Sequence, residues 1–229
     1  MAITIAGGSV GHVFGGGAYS SASGGATSVA GNVTITISGG TINGNIYAGG
    51  QNENSTVAGD VTVKFAGSGT YSCGVYGYVT PPSATEGGAK TLDLTGFTGT
   101  LSGDIGGFDE IKFTTATAAT LTAAAANVDN DEWVFDLAGT AGASPLLTWE
   151  GGTFAGDTVE LDLTGATAPA AGWQIATGLT DADAAFSVNT GDAVKSLVLG
   201  DRIWGGVYDG YGFSLDTENG GVLKFSKLA

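Results

Sequence analysis

Few residues in this chain could carry chemistry. His12 is the only histidine, Cys73 the only cysteine and Arg202 the only arginine. A Ser-His-Asp arrangement would have to use His12, and no Gly-x-Ser-x-Gly elbow accompanies it. His12 holds the place that Asn45 and Gly74 hold in two related segments. A position shared by His, Asn and Gly reads as a turn. One histidine with one cysteine makes no zinc site. A single cysteine forms no intrachain disulfide, and Cys73 beside Val75 reads as a small buried filler rather than a reactive thiol.

Carboxylates are the plentiful group. Asp104 with Asp109-Glu110, Asp129-Asn130-Asp131-Glu132 and Asp181-Ala182-Asp183 are local clusters. Glycoside cleavage needs two carboxylates facing each other across a bond. A polysaccharide lyase also needs a basic group, and Arg202 stands alone, so these acids read as solvated loop residues. Gly151-Gly-Thr-Phe-Ala-Gly-Asp-Thr-Val159 resembles the Gly-Gly-x-Gly-x-Asp nonapeptide that holds Ca²⁺ between stacked turns. It occurs once, with Phe154 at a glycine place, whereas such sites share each ion between successive turns. Thr-x-Thr spacing in Val33–Ile37 invites a third reading, a hydroxyl array that orders ice. That face needs Thr at one place in every turn, and the matching positions run Thr4, Thr34, Thr36, Thr62 and then Lys64. The row breaks. The sequons at Asn32 and Asn54 are chance matches in a Thr-rich chain. No catalytic, cofactor-binding or metal-ligating residue is assigned, and no cofactor is expected.

What must position these residues is a repeat. Ile3-Thr-Ile-Ala-Gly-Gly-Ser-Val10 returns as Ile35-Thr-Ile-Ser-Gly-Gly-Thr-Ile42, with a weaker copy from Val63-Lys-Phe-Ala-Gly67. Each copy is followed by an aliphatic–aromatic pair: Val13-Phe14, Ile46-Tyr47, Val75-Tyr76. A unit that alternates, turns at Gly-Gly and alternates again cannot bury its apolar side alone, but stacked copies can. Val13, Ile46 and Val75 then belong inside, with Phe14, Tyr47 and Tyr76 as an outer or corner ladder. Residues 1–80 carry the regular repeats, and Pro81-Pro82 marks the boundary. Residues 81–229 read as a degenerate continuation of one continuous domain. There Thr91-Leu-Asp-Leu-Thr-Gly96, Val134-Phe-Asp-Leu-Ala-Gly139 and Val159-Glu-Leu-Asp-Leu-Thr-Gly165 share a motif, with Phe213-Ser-Leu-Asp216 as a truncated fourth copy. In each, the acid points away from the core. Ala116–Val128 looks helical by its alanines, but its threonines and strand-like flanks favour strand or coil.

Composition narrows function. Seven basic residues against 22 acidic ones give a formal charge of −15, which leaves no basic face for nucleic acid. Gly is 42 of 229 residues and Pro only 4, beside 42% apolar residues, which suits many tight turns and not disorder. No run of 18 apolar residues exists, so no spanning helix and no membrane insertion are expected. Met1-Ala-Ile-Thr-Ile lacks the basic and apolar regions of a signal peptide, which would make an exported form a mature fragment.

Gly31-Asn-Val-Thr-Ile-Thr-Ile-Ser-Gly-Gly-Thr-Ile-Asn-Gly-Asn-Ile-Tyr-Ala-Gly-Gly50 and Leu94-Thr-Gly-Phe-Thr-Gly-Thr-Leu-Ser-Gly-Asp-Ile-Gly-Gly-Phe-Asp-Glu-Ile111 resemble repeats of bacterial autotransporter passengers and related surface adhesins. The resemblance implies an all-β, right-handed parallel β-helix, secreted to the bacterial cell surface and acting in adhesion or as a stalk. It carries over no catalytic residue. The expectation is a non-enzymatic extracellular module. Its partners are further copies through the solenoid ends, and host or matrix glycans or proteins. The alternative is a carbohydrate-binding or carbohydrate-cleaving β-helix, using paired carboxylates beside Trp133, Trp149, Trp173 or Trp204.

Overall fold

The computed structural model describes the chain except residues 18–25, 52–54, 79–86, 123–126, 129, 139–144, 155, 168–171, 181–183, 190, 192–193, 199–206, 209–210, 217–219 and 228–229. Pro81-Pro82, Asn54, Asp129, Asp181, Asp183, Arg202 and Trp204 therefore lie outside the described residues.

Alternation dictates the architecture. Val33, Ile35 and Ile37 are buried while Thr34 is exposed, and Val61, Val63 and Phe65 repeat the pattern. Each such strand hides one face only, so the next copy must stack beside it. Among the described residues, strands join in parallel in the order Ala2–Val10, Val33–Ile42, Val61–Phe65, Lys90–Asp93, Glu110–Thr114, Glu132–Asp136, Thr158–Asp162, Ala185–Asn189. A ninth strand, Val194–Val198, closes this long sheet antiparallel. A second sheet stacks Thr70–Tyr71, Thr100–Leu101, Ala119–Leu121, Leu147–Trp149 and Trp173–Thr177 in parallel. A third stacks Val13–Phe14, Ile46–Tyr47, Val75–Tyr76, Ile105–Gly106 and Asn127–Val128. A small fourth pairs Thr27–Val29 with Ser55–Val57 in parallel. The chain is a β-solenoid of about five turns, without helix among the described residues.

One apolar core runs along the axis. Ile35, Val63, Leu92, Ile111, Trp133, Val159 and Phe186 share one register column, each at most 1% exposed. Val13, Ile46, Val75 and Ile105 form a second internal column, as the repeat requires. Lys90 takes the register place of Val33 and Val61 and is only 5% exposed. Its Nζ reaches the Gly88 carbonyl at 3.5 Å and stands 5.7 Å from the Tyr78 ring centre. The described residues of Ala116–Val128 form a turn and the strands Ala119–Leu121 and Asn127–Val128, as the threonines and strand-like flanks indicate.

Two expectations are corrected. Phe213–Asp216 is no fourth copy of the acidic motif: Tyr211–Asp216 runs antiparallel to Val222–Lys227. The fourth copy is Phe186-Ser-Val-Asn189, with Asn at the acid position. Nor is the last strand a free end. Val222–Lys227 lies between Trp173–Thr177 and Tyr211–Asp216, with antiparallel pairing on both sides.

Candidate functional site

The polar residues are best followed corner by corner. At the corner before the third sheet, His12 Nδ1 accepts the Asn45 amide at 2.9 Å, and Asn45 Oδ1 accepts the Gly74 amide at 2.9 Å. Each side chain satisfies a backbone donor one turn along, which a turn position needs and a catalytic histidine does not. The adjoining rings form the expected outer ladder. Phe14 and Tyr47 stack at 5.5 Å between centroids, as do Tyr47 and Tyr76, both at 13°. The rings cover each other's faces along the axis, so the ladder presents ring edges rather than a flat platform for a sugar. Tyr47 Oη accepts from Asn45 Nδ2 at 3.0 Å, and Tyr76 Oη donates to Asp104 at 3.5 Å.

The acid of the degenerate motif closes the corner after the long sheet. Asp93 Oδ1 accepts the Thr95 amide, Asp136 Oδ1 the Ala138 amide, Asp162 Oδ1 the Thr164 amide and Asn189 Oδ1 the Gly191 amide, all at 2.8–2.9 Å. Asp136, Asp162 and Asn189 repeat one Asx turn up the stack, Thr114 takes the same column and accepts the Ala116 amide, and Asp93 makes the same turn two residues earlier in register. A further set works from the residues before three long-sheet strands, Val33–Ile42, Val61–Phe65 and Glu110–Thr114. Asn32 caps the Asp60 amide, Asp60 the Ala89 amide, and Asp109 the Lys90 amide.

Among the described residues the acids of these clusters do not converge on a cleft. Asp104 meets Tyr76, Asp109 holds a backbone amide, and Glu110 pairs with Lys112 at 2.9 Å on the outer face of the long sheet. Asp93 pairs there with Lys64 at 2.7 Å. Burial would raise the Asp93 carboxyl, but Lys64 and the Thr95 hydroxyl and amide outweigh it and hold it below the usual range. Glu132, beside Glu110 on that face, is pushed up by burial and by the charges of Glu160, Glu110 and Asp131. Among the described residues no group of three or more His, Cys, Asp or Glu is arranged to hold a metal ion.

Two sequence readings fail on particular bonds. Asp157, the acid of the calcium-like segment, is buried and accepts Trp133 Nε1 at 2.7 Å, so it faces inward. Trp133, Trp149 and Trp173 are at most 3% exposed and pack in the core, with Trp133 and Trp149 stacked at 5.4 Å. They offer no sugar platform. Cys73 is buried as expected, and burial pushes its thiol up to about 11.

The hydroxyl row does break at Lys64 on the long sheet, where Thr4, Thr36, Lys64 and Asp93 share a column. An unbroken row lies on the second sheet instead. Thr70, Thr100, Thr120, Thr148 and Thr177 occupy one register column over five successive strands. Backbone bonds from Thr98 to Gly67, Ser102 to Tyr71, Ala118 to Phe97 and Thr122 to Leu101 extend that register to both sides. Three turns thus present Ser68-x-Thr70-x-Ser72, Thr98-x-Thr100-x-Ser102 and Ala118-x-Thr120-x-Thr122, with the intervening side chains Tyr71, Leu101, Ala119 and Leu121 buried. The signal was present in sequence as Thr before a large apolar residue in Thr70-Tyr71, Thr100-Leu101, Thr120-Leu121 and Thr148-Trp149. Turns of unequal length hid it.

The fold therefore places this chain among β-solenoid proteins. Comparison with protein-family models, with curated proteins and with solved structures finds no match.

Proposed function

We propose that the chain is a non-enzymatic, extracellular β-solenoid that serves as a structural or adhesive module at a bacterial surface and associates with further copies through its first turn. The observation that supports this best is where the polar side chains go. His12, Asn45, Asp93, Asp136, Asp162 and Asp157 are bonded to turn amides or to a core tryptophan. A hydroxyl-rich surface of net negative charge suits a molecule kept soluble outside the cell. For association, the two ends differ. Ala2–Val10 and Val13–Phe14 each have a strand neighbour on one side only among the described residues, whereas the other end is finished by antiparallel strands. The Met1 carbonyl accepts the Thr34 amide, so alternation turns the Thr4 N–H outward to the open edge. An unpaired edge of this kind templates pairing with another chain.

Light scattering over a wide concentration range tests this. The expected result is a concentration-dependent dimer that Thr4→Pro abolishes, because proline removes an edge donor without touching the inner ladder. Monomer at every concentration overturns the association, and release of reducing ends from a polysaccharide panel overturns the non-enzymatic reading.

A further inference from the structure

We infer that the outer face of the second sheet is an ice-binding surface, with the hydroxyls of its three-column grid as the contact. This rests on the grid alone and is independent of the adhesive reading.

The geometry comes first. Parallel strands lie about 4.8 Å apart, and alternate residues on a strand about 6.7 Å apart. The face therefore repeats a hydroxyl in two directions over the turns containing Thr70, Thr100 and Thr120; of the nine positions Ala118 lacks one and the Thr122 hydroxyl is buried, which leaves seven. The middle column continues through Thr148 to Thr177. Because every member is held by the same backbone ladder, spacing is set by the sheet and not by flexible side chains. Thr adds rigidity, since its branched Cβ restricts χ1. Ser102 and Thr98 are pinned further, each hydroxyl 3.4 Å from a carbonyl of the preceding turn. Among the described residues, the Thr70, Thr100, Thr120 and Thr148 hydroxyls have no protein partner, which leaves them to solvent.

Charge selects the occupant. In a chain of formal charge −15, none of the nine grid positions is charged, and the first acid on the face is Glu150, one turn beyond Thr122. The outer face of the long sheet, by contrast, carries Lys64, Asp93, Glu110, Lys112 and Glu132. Charges hold hydration shells of their own geometry, and a periodic layer of neutral hydroxyls and methyls does not. A sugar polymer fits less well on the grid, because the aromatic rings of the five parallel strands, Tyr71, Trp149 and Trp173, are buried and leave no ring face beside these hydroxyls for a pyranose to stack upon. What a rigid, neutral, two-dimensional hydroxyl lattice can match without aromatics is a lattice of water.

The test is ice recrystallisation in a frozen sucrose film, with the purified chain, Thr100→Lys/Thr120→Lys, and Thr36→Lys as the same change on the long sheet, where Lys64 already occupies that column. The expected result is that the parent chain and Thr36→Lys arrest crystal coarsening while the double variant loses the effect, with strand circular dichroism unchanged. Failure of the parent chain to arrest coarsening overturns the inference whatever the variants do. So does a double variant that folds and still arrests it. Grid-dependent binding to insoluble polysaccharide without any effect on ice assigns the face to sugars and likewise overturns it.

Discussion

Leu92→Ala and Thr91→Ala give the sharpest test of the register. Leu92 is 0% exposed and sits in the internal column between Val63 and Ile111, whereas Thr91 stands on the outer face between Thr62 and Glu110. Truncating Leu92 removes three carbons at about 0.8 kcal/mol each, a transfer loss of about 2.4 kcal/mol. The layers above and below are held by their own ladders and cannot collapse into the gap, so an unrelaxed cavity brings the total to about 3–4 kcal/mol. Thr91→Ala removes a hydroxyl that water already solvates and should stay within about 0.5 kcal/mol. Urea unfolding followed by tryptophan fluorescence reads both, since Trp133 and Trp149 lie in the same core. Both substitutions fall mid-stack, where fraying of a terminal turn contributes little. If Thr91→Ala proves the more damaging, the strand is displaced by one residue and every inside–outside assignment reverses.

Acid titration should separate two carboxylates of the long sheet. Asp93 has a lowered folded-state pKa, so its contribution is present above the unfolded value and is lost as pH falls through the folded one; Asp93→Asn should therefore destabilise at neutral pH and become silent in strong acid. Glu132 is raised, so its stabilising contribution exists below the unfolded value and disappears as pH rises through the folded one; Glu132→Gln should raise the melting temperature at neutral pH and do nothing at acid pH. Gly40→Ala should cost more than about 1 kcal/mol in chemical denaturation, because φ is +85° and the new Cβ would lie 2.9 Å from Gly7 backbone, whereas Gly31→Ala meets nothing within 4 Å. Cys73 should resist a thiol reagent at pH 8 until the chain unfolds, since its sulfur is buried and its thiol is pushed up to about 11; rapid labelling of the folded chain would contradict this.

The stacking was legible because a two-residue period is simple to see and each turn reuses it. Val13, Ile46 and Val75 could be assigned inside, and Phe14, Tyr47 and Tyr76 outside, from the pairing of one aliphatic with one aromatic residue. The motif aspartates were correctly turned outward, but their task was not visible, since an Asx turn depends on where the strand ends. Asp157 and Trp133 show the opposite failure. Glycines around an acid suggested a metal loop, and only the three-dimensional core reveals that a buried indole N–H needs that carboxylate. Lys90 stood where alternation demands an apolar residue, and nothing local announced that Gly88 and Tyr78 would receive its amine. The closing antiparallel strands were missed because Val222–Lys227 alternates as well in an antiparallel pair as in a parallel one.

Stacking also constrains what such a surface can do. A side chain at a corner faces its counterpart one turn away, so a charge there meets either a like charge, as Glu110 meets Glu132, or a backbone amide it can cap. Capping relieves the repulsion and satisfies a donor together, which is why the described motif acids sit at the turns. A flat face has no such outlet. The long sheet alternates sign along one column, from Lys64 to Asp93 to Lys112, and so stays polar without strain. The second sheet avoids charge altogether over three turns and keeps hydroxyls, which repeat without repelling. An array of hydroxyls makes a face both soluble and regular without the repulsion that Glu132 meets from Glu110 and Glu160 on the long sheet.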